Sequence, residues 1–496
     1  MSKKIVHPWR LLFVVTVFFC FLTGFFSSVY APGFKGKNTI AGISFWMDND
    51  PGAAYLKSAH EIFRRPLIYP GHPGIPLQIG NLVVQKMIYW FYSGENESFT
   101  ECIVRKIYLV QVLSRLMITL MWLAAAFMIK KVTAKLFKDT DTGYIAAILF
   151  LTLFPLLYYL NRISPEPYMI FFFLLSFYFL INSIEQSDVG NRKMTLWYVS
   201  GTSAAAVAAF YSKLHLFGIF PLFIMFCLVL FVFKKHNLRN SAVTMMFFLM
   251  SAYLTIMVME PFMDWTTFSN FWFRLAHSGQ KAGDNDQINI LNAGTSVLIR
   301  FVSVLLKFNL TDFLPFTDKS RLTFATEYVL FFLYLLSFGY STIRKNKILL
   351  VMSLYILFPS YIFLYRATVF KDFQGFHYLF PLLTVCCIQV AFLVQQVSVK
   401  FEGRKILTGA LIVFFIHFVA VSYGVAAHKD RIVFGEKARK AYLGLSKLKP
   451  GETPDVKLQK ALSLIGIYGW EKMNKGEPSL IDTELKKMQN ASNFNE

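Results

Sequence analysis

Charged residues are scarce in this chain, and their scarcity indicates the class of protein to which it belongs. Only 16% of the 496 residues are charged, whereas 55% are hydrophobic and 54 are phenylalanine. The mean hydropathy is +0.47. A single soluble core could not bury so many apolar side chains. The composition therefore predicts a protein that crosses a membrane several times.

Cysteine is also rare, and its placement excludes two kinds of site. The chain has five cysteines, most of them inside apolar runs, and none forms a CxxC pair. Neither a disulfide framework nor a zinc site is therefore indicated. The formal charge of +21 could suggest nucleic-acid binding, but Lys and Arg occur in short clusters between apolar runs. Such clusters are topology signals, and we expect no nucleic-acid partner.

Long apolar runs set the predicted topology. Each is long enough to cross a hydrocarbon layer of about 30 Å. The runs lie near residues 10–30, 105–129, 142–160, 166–183, 195–211, 214–233, 241–259, 325–343, 347–365, 376–397 and 406–427. With the amino terminus inside, every inner loop is basic, as the positive-inside rule requires. The sequence predicts an all-α polytopic membrane protein with about 11 to 13 transmembrane helices.

Other segments complete the predicted organisation. The membrane region is expected to cover residues 1–427, with a large first outer loop at 31–104 that contains amphipathic helices and a second outer loop at 260–324. The short run 296–308 has Arg300 in its middle and is interpreted as interfacial or re-entrant. The first run is expected to be an uncleaved anchor, although cleavage after Ala31 is the alternative. Residues 428–496 form a tail with short amphipathic helices, expected outside.

This topology gathers the unusual polar residues on one face. They fall in the first outer loop, in the turns near 161–167 and 211–215, and in the segment 365–378. Ionisable groups near helix ends are expensive to keep in a bilayer. Their collection on the non-cytoplasmic side therefore predicts a functional site there.

An acidic pair opens the first outer loop, in "FWMDNDPGAAYLKSAHEIF" at 45–63. A carboxylate of Asp48 or Asp50 can take a proton from an acceptor hydroxyl or amide while cations stabilise a departing phosphate. Together the two could also hold Mg²⁺ or Mn²⁺. The alternative, structural interpretation is that Asp50 or Asn49 caps the following helix.

These segments resemble a known family in their order along the chain. The acidic pair is followed by "AAYLKSAHEIF", "YPGHPGIPLQ", "LSRLMITLMWLAAAFMI", "RISPEPYMIFFFLLSFYFL", "AAAVAAFYSKLHLFGIFPL" and "FHYLFPLL". Over roughly the first 400 residues, the chain resembles GT-C integral-membrane glycosyltransferases. The branch it resembles holds the protein O-mannosyltransferases and the aminoarabinose transferases of lipid A. The resemblance implies an all-helical fold, a polyprenyl-phosphate sugar donor, inversion at the anomeric carbon and a periplasmic or lumenal active site.

The resemblance also implies residue roles. Asp48 matches the loop aspartate that serves as general base, and Asp50 would assist it or bind a cation. Many relatives have adjacent Asp-Glu, whereas Asn49 here separates the two aspartates. Which aspartate is the base therefore stays open. The implied phosphate-binding residues are His72, Lys213, Arg366 and His377.

Several of these residues also have structural interpretations. Lys213 could snorkel to the interface. Arg162 and Glu166 are expected to pair and fix a turn, or to support the acceptor. Glu260 could orient the acceptor or cap a helix. Arg115 is expected to serve in helix packing or at the interface.

The predicted function is that of an inverting glycosyltransferase. It would move a sugar from a polyprenyl-phosphate donor to a cell-envelope glycan, a lipid or a protein. A bacterial inner membrane is expected, with the active site facing the periplasm. One alternative is a flippase or transporter of lipid-linked sugars, although no internal repeat is evident. The other is an enzyme like an O-antigen polymerase or ligase, whose chemistry would lie in the loop 260–324.

Overall fold

A computed structural model describes a large part of the chain. The described residues are 8–29, 39–40, 43–44, 52–63, 74–153, 156, 160, 163–213, 238–259, 261, 339, 380–400, 480, 481, 483, 484 and 487. Their helices are α1 Pro8–Val29, α2 Gly52–His60, α3 Ile75–Tyr92, α4 Phe99–Arg105, α5 Ile107–Phe137, α6 Thr140–Leu151, α7 Glu166–Asp188, α8 Arg192–Ser212, α9 Leu238–Met259 and α10 Phe380–Lys400. Two short strands, β1 Thr39–Ile40 and β2 Ile43–Ser44, pair in antiparallel register.

The predicted helical character is confirmed wherever the described ranges cover an apolar run. Helices α1 and α5 to α10 each coincide with one of these runs. The segments Leu109–Phe137 and Glu166–Asp188 are long and apolar enough to cross a membrane. The runs near 214–233, 347–365 and 406–427 and the segment 296–308 lie outside the described residues, and only Gly339 of the run 325–343 is described. The number of spans therefore stays a prediction.

One helix is shorter than its apolar run. The sequence predicts a run to residue 160, but α6 ends at Leu151. The hydroxyl of Thr152 donates to the carbonyl of Leu149 at 2.9 Å, which satisfies one of the last acceptors of the helix. Pro155 follows in the sequence and disfavours a helical conformation in the residue before it. Hydrophobicity alone does not reveal such a stop.

The loop between α5 and α6 is short because its residues suit a sharp reversal. Lys138 ends α5 in the left-handed region with φ 54°. Asp139 then caps α6, since its carboxylate accepts the backbone N–H of Thr142 at 2.9 Å. Gly143 lets the two helices approach, because an added Cβ would lie 2.6 Å from the carbonyl oxygen of Lys130.

Helix α5 is the centre of the described bundle. Helices α1, α6 and α7 pack on it, α8 packs on α7, and α9 packs on α8. The core around α5 includes Trp122, Phe150 and Phe173, all fully buried. Serine side chains join α8 to α9: Ser203 donates to the carbonyl of Phe248 at 2.7 Å. Small hydroxyl residues of this kind let apolar helices associate closely.

The first-loop helices α2, α3 and α4 lie together at one end of this bundle. Helix α3 packs on α2 and α5, and its residue Ile75 clusters with Phe210 and Tyr211 near the end of α8. We call the end formed by the starts of α5 and α7 and the end of α8 the first-loop end. Trp90 of α3 is 80% exposed, and exposed aromatic residues of this kind are typical of a membrane interface.

The tail also reaches the first-loop helices. The backbone N–H of Leu480 donates to the carboxylate of Glu61, a residue that is itself buried. Leu480 and Ile481 are helical, and Ile481 is buried in the core cluster around α5. A hydrogen bond from a backbone N–H to an ionised carboxylate is stronger than one between neutral groups. Glu61 therefore holds the tail against the end of α2.

This contact predicts how the tail responds to loss of the Glu61 carboxylate. In the Glu61→Ala variant the tail should be released more often, because the hydrogen bond from the backbone of Leu480 to the carboxylate is lost. We expect limited proteolysis of the purified protein to remove the tail about fivefold to tenfold faster than in the wild type. Glu95→Ala, in the exposed turn between α3 and α4, is the control and should leave the rate unchanged. If the tail were cleaved at the same rate in Glu61→Ala and in the wild type, the contact of Glu61 with the tail would be contradicted.

Candidate functional site

Two of the predicted site residues lie in the described part of the chain. These are Glu166, the first residue of α7, and Lys213, which ends α8. The remaining predicted site residues lie outside the described residues: Asp48, Asp50, His72, Arg162, Glu260, Arg366 and His377. Their roles stay predictions.

Glu166 and Lys213 form a buried ion pair at the first-loop end. Helices α7 and α8 are antiparallel neighbours, joined through a turn at Gly190 with φ 78°. The start of α7 therefore meets the end of α8. The ammonium of Lys213 donates to Oε1 of Glu166, and the two side chains are only 1% and 2% exposed.

Both members of the pair occupy the helix end that suits their charge. A helix start carries a partial positive charge, which favours Glu166, and a helix end carries a partial negative charge, which favours Lys213. Removal from water is nevertheless costly for both groups, and their mutual attraction must offset that cost. The pair therefore couples the ends of α7 and α8 tightly.

The expected pairing of Arg162 with Glu166 stays a prediction, and the structure adds a partner that sequence spacing did not suggest. Arg162, only four residues before Glu166, is the expected partner, and it lies outside the described residues. The observed partner is Lys213, which is 47 residues away along the chain. Proximity in the sequence favours a local pair, whereas the antiparallel packing of α7 and α8 brings the distant lysine to Glu166.

A second polar cluster joins the three first-loop helices through His60. The ring Nδ1 of His60 lies 3.1 Å from Oε1 of Gln85 on α3, and its Nε2 lies 3.0 Å from Oγ1 of Thr100 on α4. Gln85 also donates from Nε2 to the carbonyl of Leu56 at 2.8 Å, so its Oε1 faces the histidine. Nδ1 of His60 is therefore the donor, and Nε2 accepts from Thr100. The ring stacks on Phe99, with centroids 4.5 Å apart.

Burial keeps this histidine neutral. Loss of hydration is the largest effect and lowers the pKa of His60 to about 4, and the positive charge of Lys86 lowers it further. The hydrogen bond with Gln85 acts in the opposite direction. Nothing in the sequence singles out His60, because its partners lie 25 and 40 residues away.

The opposite end of the bundle carries a comparable but more exposed pair. Lys135 of α5 donates to Oδ1 of Asn182 at 2.6 Å and to the carboxylate of Glu185 on α7. The side chain of Glu185 is 44% exposed, so solvent screens the attraction. This pair provides a matched comparison for the buried pair of Glu166 and Lys213.

Metal ligands do not gather in the described part of the structure. No group of three or more His, Cys, Asp or Glu side chains there could hold a metal ion. Asp48 and Asp50, the predicted cation ligands, lie outside the described residues. A Mg²⁺ or Mn²⁺ ion at these aspartates therefore stays a prediction.

Comparisons with known proteins find only solved structures of low sequence identity to this chain. No protein-family model and no curated protein matches the sequence. One similar solved structure is the archaeal oligosaccharyltransferase AglB from Archaeoglobus fulgidus, in complex with an inhibitory peptide and a dolichol-phosphate. It shows 13% identity and a TM-score of 0.49 over 92% of this chain and 60% of AglB.

A second similar structure is an Archaeoglobus fulgidus oligosaccharyltransferase in complex with Zn and sulfate. It shows 15% identity and a TM-score of 0.46 over 90% of this chain and 57% of that one. The chain thus spans less than two thirds of the length of either structure. A likeness of this size does not identify an activity.

The buried ion pair predicts a strong asymmetry between single and double substitutions. Lys213→Met or Glu166→Leu alone leaves an uncompensated buried charge and should lower the free energy of unfolding by about 3–5 kcal/mol. The double variant should lie within about 1–2 kcal/mol of the wild type. Thermal unfolding of the purified proteins measures the stability of the single and the double variants. For the exposed pair, Lys135→Met or Glu185→Leu should each cost under about 1 kcal/mol. If the double variant lost as much free energy of unfolding as the two single variants together, the assignment of a buried ion pair would be contradicted.

The neutral His60 predicts a pH dependence of stability. The pKa of His60 is about 4 in the folded protein against 6.5 ordinarily, so the unfolded state binds the proton more readily. The free energy of unfolding should therefore fall as the pH drops from about 7 towards 4. The loss should be about 2 kcal/mol at pH 5 relative to pH 8. Denaturation curves recorded at pH 5 and at pH 8 measure this loss of free energy of unfolding. If a His60→Gln variant lost as much free energy of unfolding as the wild type between pH 8 and pH 5, the prediction would be contradicted.

Proposed function

We propose that the protein is an integral-membrane glycosyltransferase of the GT-C type. It would move a sugar, with inversion, from a polyprenyl-phosphate carrier to a glycan, lipid or protein acceptor. The observation that supports this most is the meeting of two predicted outer regions. Ile75 of the first loop packs against Phe210 and Tyr211, directly before the buried cation Lys213. The loop that carries the acidic pair is therefore joined by α3 to the end of α8.

The proposed reaction needs a base and a cationic environment for the leaving phosphate. Asp48 takes the proton from the acceptor, whose oxygen or nitrogen attacks the anomeric carbon opposite the phosphate. The bond between that carbon and the phosphate oxygen breaks, and the polyprenyl phosphate leaves with both bonding electrons. Asp50 orients the base, or joins Asp48 in holding a divalent cation that would neutralise phosphate charge.

Cations on the same face would stabilise the negative charge that grows on the phosphate. Lys213 has a fixed position because Glu166 holds it. A positioned cation in a poorly hydrated site stabilises developing charge without reorganisation during the reaction. Arg366, with a guanidinium that can bind phosphate through two parallel hydrogen bonds, would add to this, as would His72 and His377.

We further propose that the reaction occurs on the periplasmic face of a bacterial inner membrane. The direction of the described helices supports this orientation. The starts of α5 and α7 lie at the first-loop end, and the basic residues Lys130, Lys131 and Lys135 lie towards the other end of α5. Positively charged residues are concentrated on the cytoplasmic side of membrane proteins.

The decisive experiment measures sugar transfer by aspartate variants. In nanodiscs, the Asp48→Asn protein should transfer sugar from a polyprenyl-phosphate donor about 10²–10⁴-fold more slowly than the wild type. Donor binding should survive, because the base acts on the acceptor. Asp141→Asn, in the first turn of α6 at the opposite end, is the control. Normal transfer by both Asp48→Asn and Asp50→Asn would overturn the proposal.

The double variant Lys213→Met with Glu166→Leu separates folding from function. Its stability should be close to that of the wild type, yet its transfer rate should fall, because the neutral pair no longer stabilises the phosphate. The double variant of Lys135 and Glu185 should keep both stability and transfer. A stable and fully active Lys213 variant would remove that residue from the proposed site.

A further inference from the structure

A short helical segment of the tail contacts the first-loop helices. We call residues 480–487 the tail segment. Its described residues are Leu480, Ile481, Thr483, Glu484 and Lys487, and all of them are helical. At one end the backbone N–H of Leu480 donates to the carboxylate of Glu61, which directly follows α2. Lys487 lies seven residues further on, a distance of about 10 Å along a helix.

The other end of the tail segment lies near the start of α4. The pKa of the Glu101 carboxyl, in the first turn of α4, is lowered mainly by its hydrogen bonds with Ser98. The positive charge of Lys487 lowers this pKa further. The ammonium of Lys487 also lies 3.2 Å from the carboxylate of Glu484. The tail segment therefore reaches from the end of α2 to the first turn of α4.

Helices α2 and α4 have few contacts with each other. Helix α2 packs on α3, and α4 packs on α3 and α5. Among the described residues, α2 and α4 meet mainly at His60, which lies against Thr100 and stacks on Phe99. The two helices have only nine and seven residues, and helices of that length are marginal in water without tertiary contacts. A further link between them should therefore change how often they separate.

The tail segment itself is held by few contacts. Ile481 is buried in the core cluster around α5, whereas Leu480 is 37% exposed. The side chain of Lys487 is 69% exposed. The carboxylate of Glu61 is buried, and its second oxygen has no hydrogen-bond partner among the described residues. Loss of the N–H of Leu480 would leave this buried charge without a donor there, so docking of the tail and the position of the end of α2 are coupled.

We propose that the tail segment is a releasable strap that holds α2 against α4. When the segment is docked, it joins Glu61 to the start of α4, in parallel with the contacts of His60. When the segment leaves, Glu61 loses its hydrogen-bond donor, and α2 and α4 are held together mainly through His60 and α3. The strap acts on the fold of the first loop whatever reaction the protein catalyses, so the inference does not rest on the proposed function.

Hydrogen–deuterium exchange of the full-length protein measures this coupling, because it reports the local opening of each helix. Leu480→Pro removes the N–H donor and alters no first-loop residue. The amides of α2 and α4 should then exchange about tenfold faster, as expected for loss of a hydrogen bond to a charged group. The amides of α7 and α8 should exchange as in the wild type. Equally faster exchange in α7 and α8 would overturn the proposal, because it would indicate a general loss of stability.

Leu480→Ala is the matched control. It keeps the backbone N–H and shortens a side chain that is partly exposed. The amides of α2 and α4 should exchange in this variant as in the wild type. If they exchanged as slowly in Leu480→Pro as in the wild type, the tail would be a passive end and the strap would be overturned. Exchange as fast in Leu480→Ala as in Leu480→Pro would overturn the role of the N–H and the proposal with it.

A charge reversal tests the other end of the strap. Lys487→Glu replaces attraction to Glu101 by repulsion, whereas Lys487→Arg keeps the positive charge. At low ionic strength, Lys487→Glu should accelerate exchange in α4 about twofold to threefold, since the groups are exposed. The difference should shrink at about 0.5 M salt, because salt screens exposed charges. Equal exchange of the two variants at low ionic strength would overturn the proposal, because the segment would then link nothing to α4.

Discussion

The ion pair between Glu166 and Lys213 is the interaction on which the arrangement of the first-loop end depends. It joins the start of α7 to the end of α8, and both charges are almost completely removed from solvent. A buried pair of this kind contributes little net stability compared with apolar residues of the same size. Its effect is on geometry, because a displacement of either helix end would leave a buried charge without a partner.

The first-loop helices are joined to this end by different means. Apolar packing connects Ile75 to the end of α8. Hydrogen bonds of a neutral histidine connect α2, α3 and α4, and the carboxylate of Glu61 holds a helical segment of the tail. Each contact joins residues far apart in the chain. These contacts therefore hold α2, α3 and α4 in defined positions relative to one another and to the bundle.

Water is scarce at the first-loop end, where Glu166 and Lys213 are both almost completely removed from solvent. Lys213 is held there at the end of α8 by its ion pair with Glu166. Electrostatic interactions act strongly where water is scarce, because the effective dielectric constant is low.

The sequence by itself determined the helical class and the approximate helix positions, because long apolar runs have few ways to satisfy their backbone in a bilayer. It also placed Glu166 and Lys213 at helix ends. Tertiary structure decided their pairing, the end of α6 at Leu151, the partners of His60 and the contact of Leu480 with Glu61. The physical reason is that hydrophobic periodicity records burial along one helix, whereas hydrogen-bond partners 25 to 419 residues apart are chosen only when helices pack.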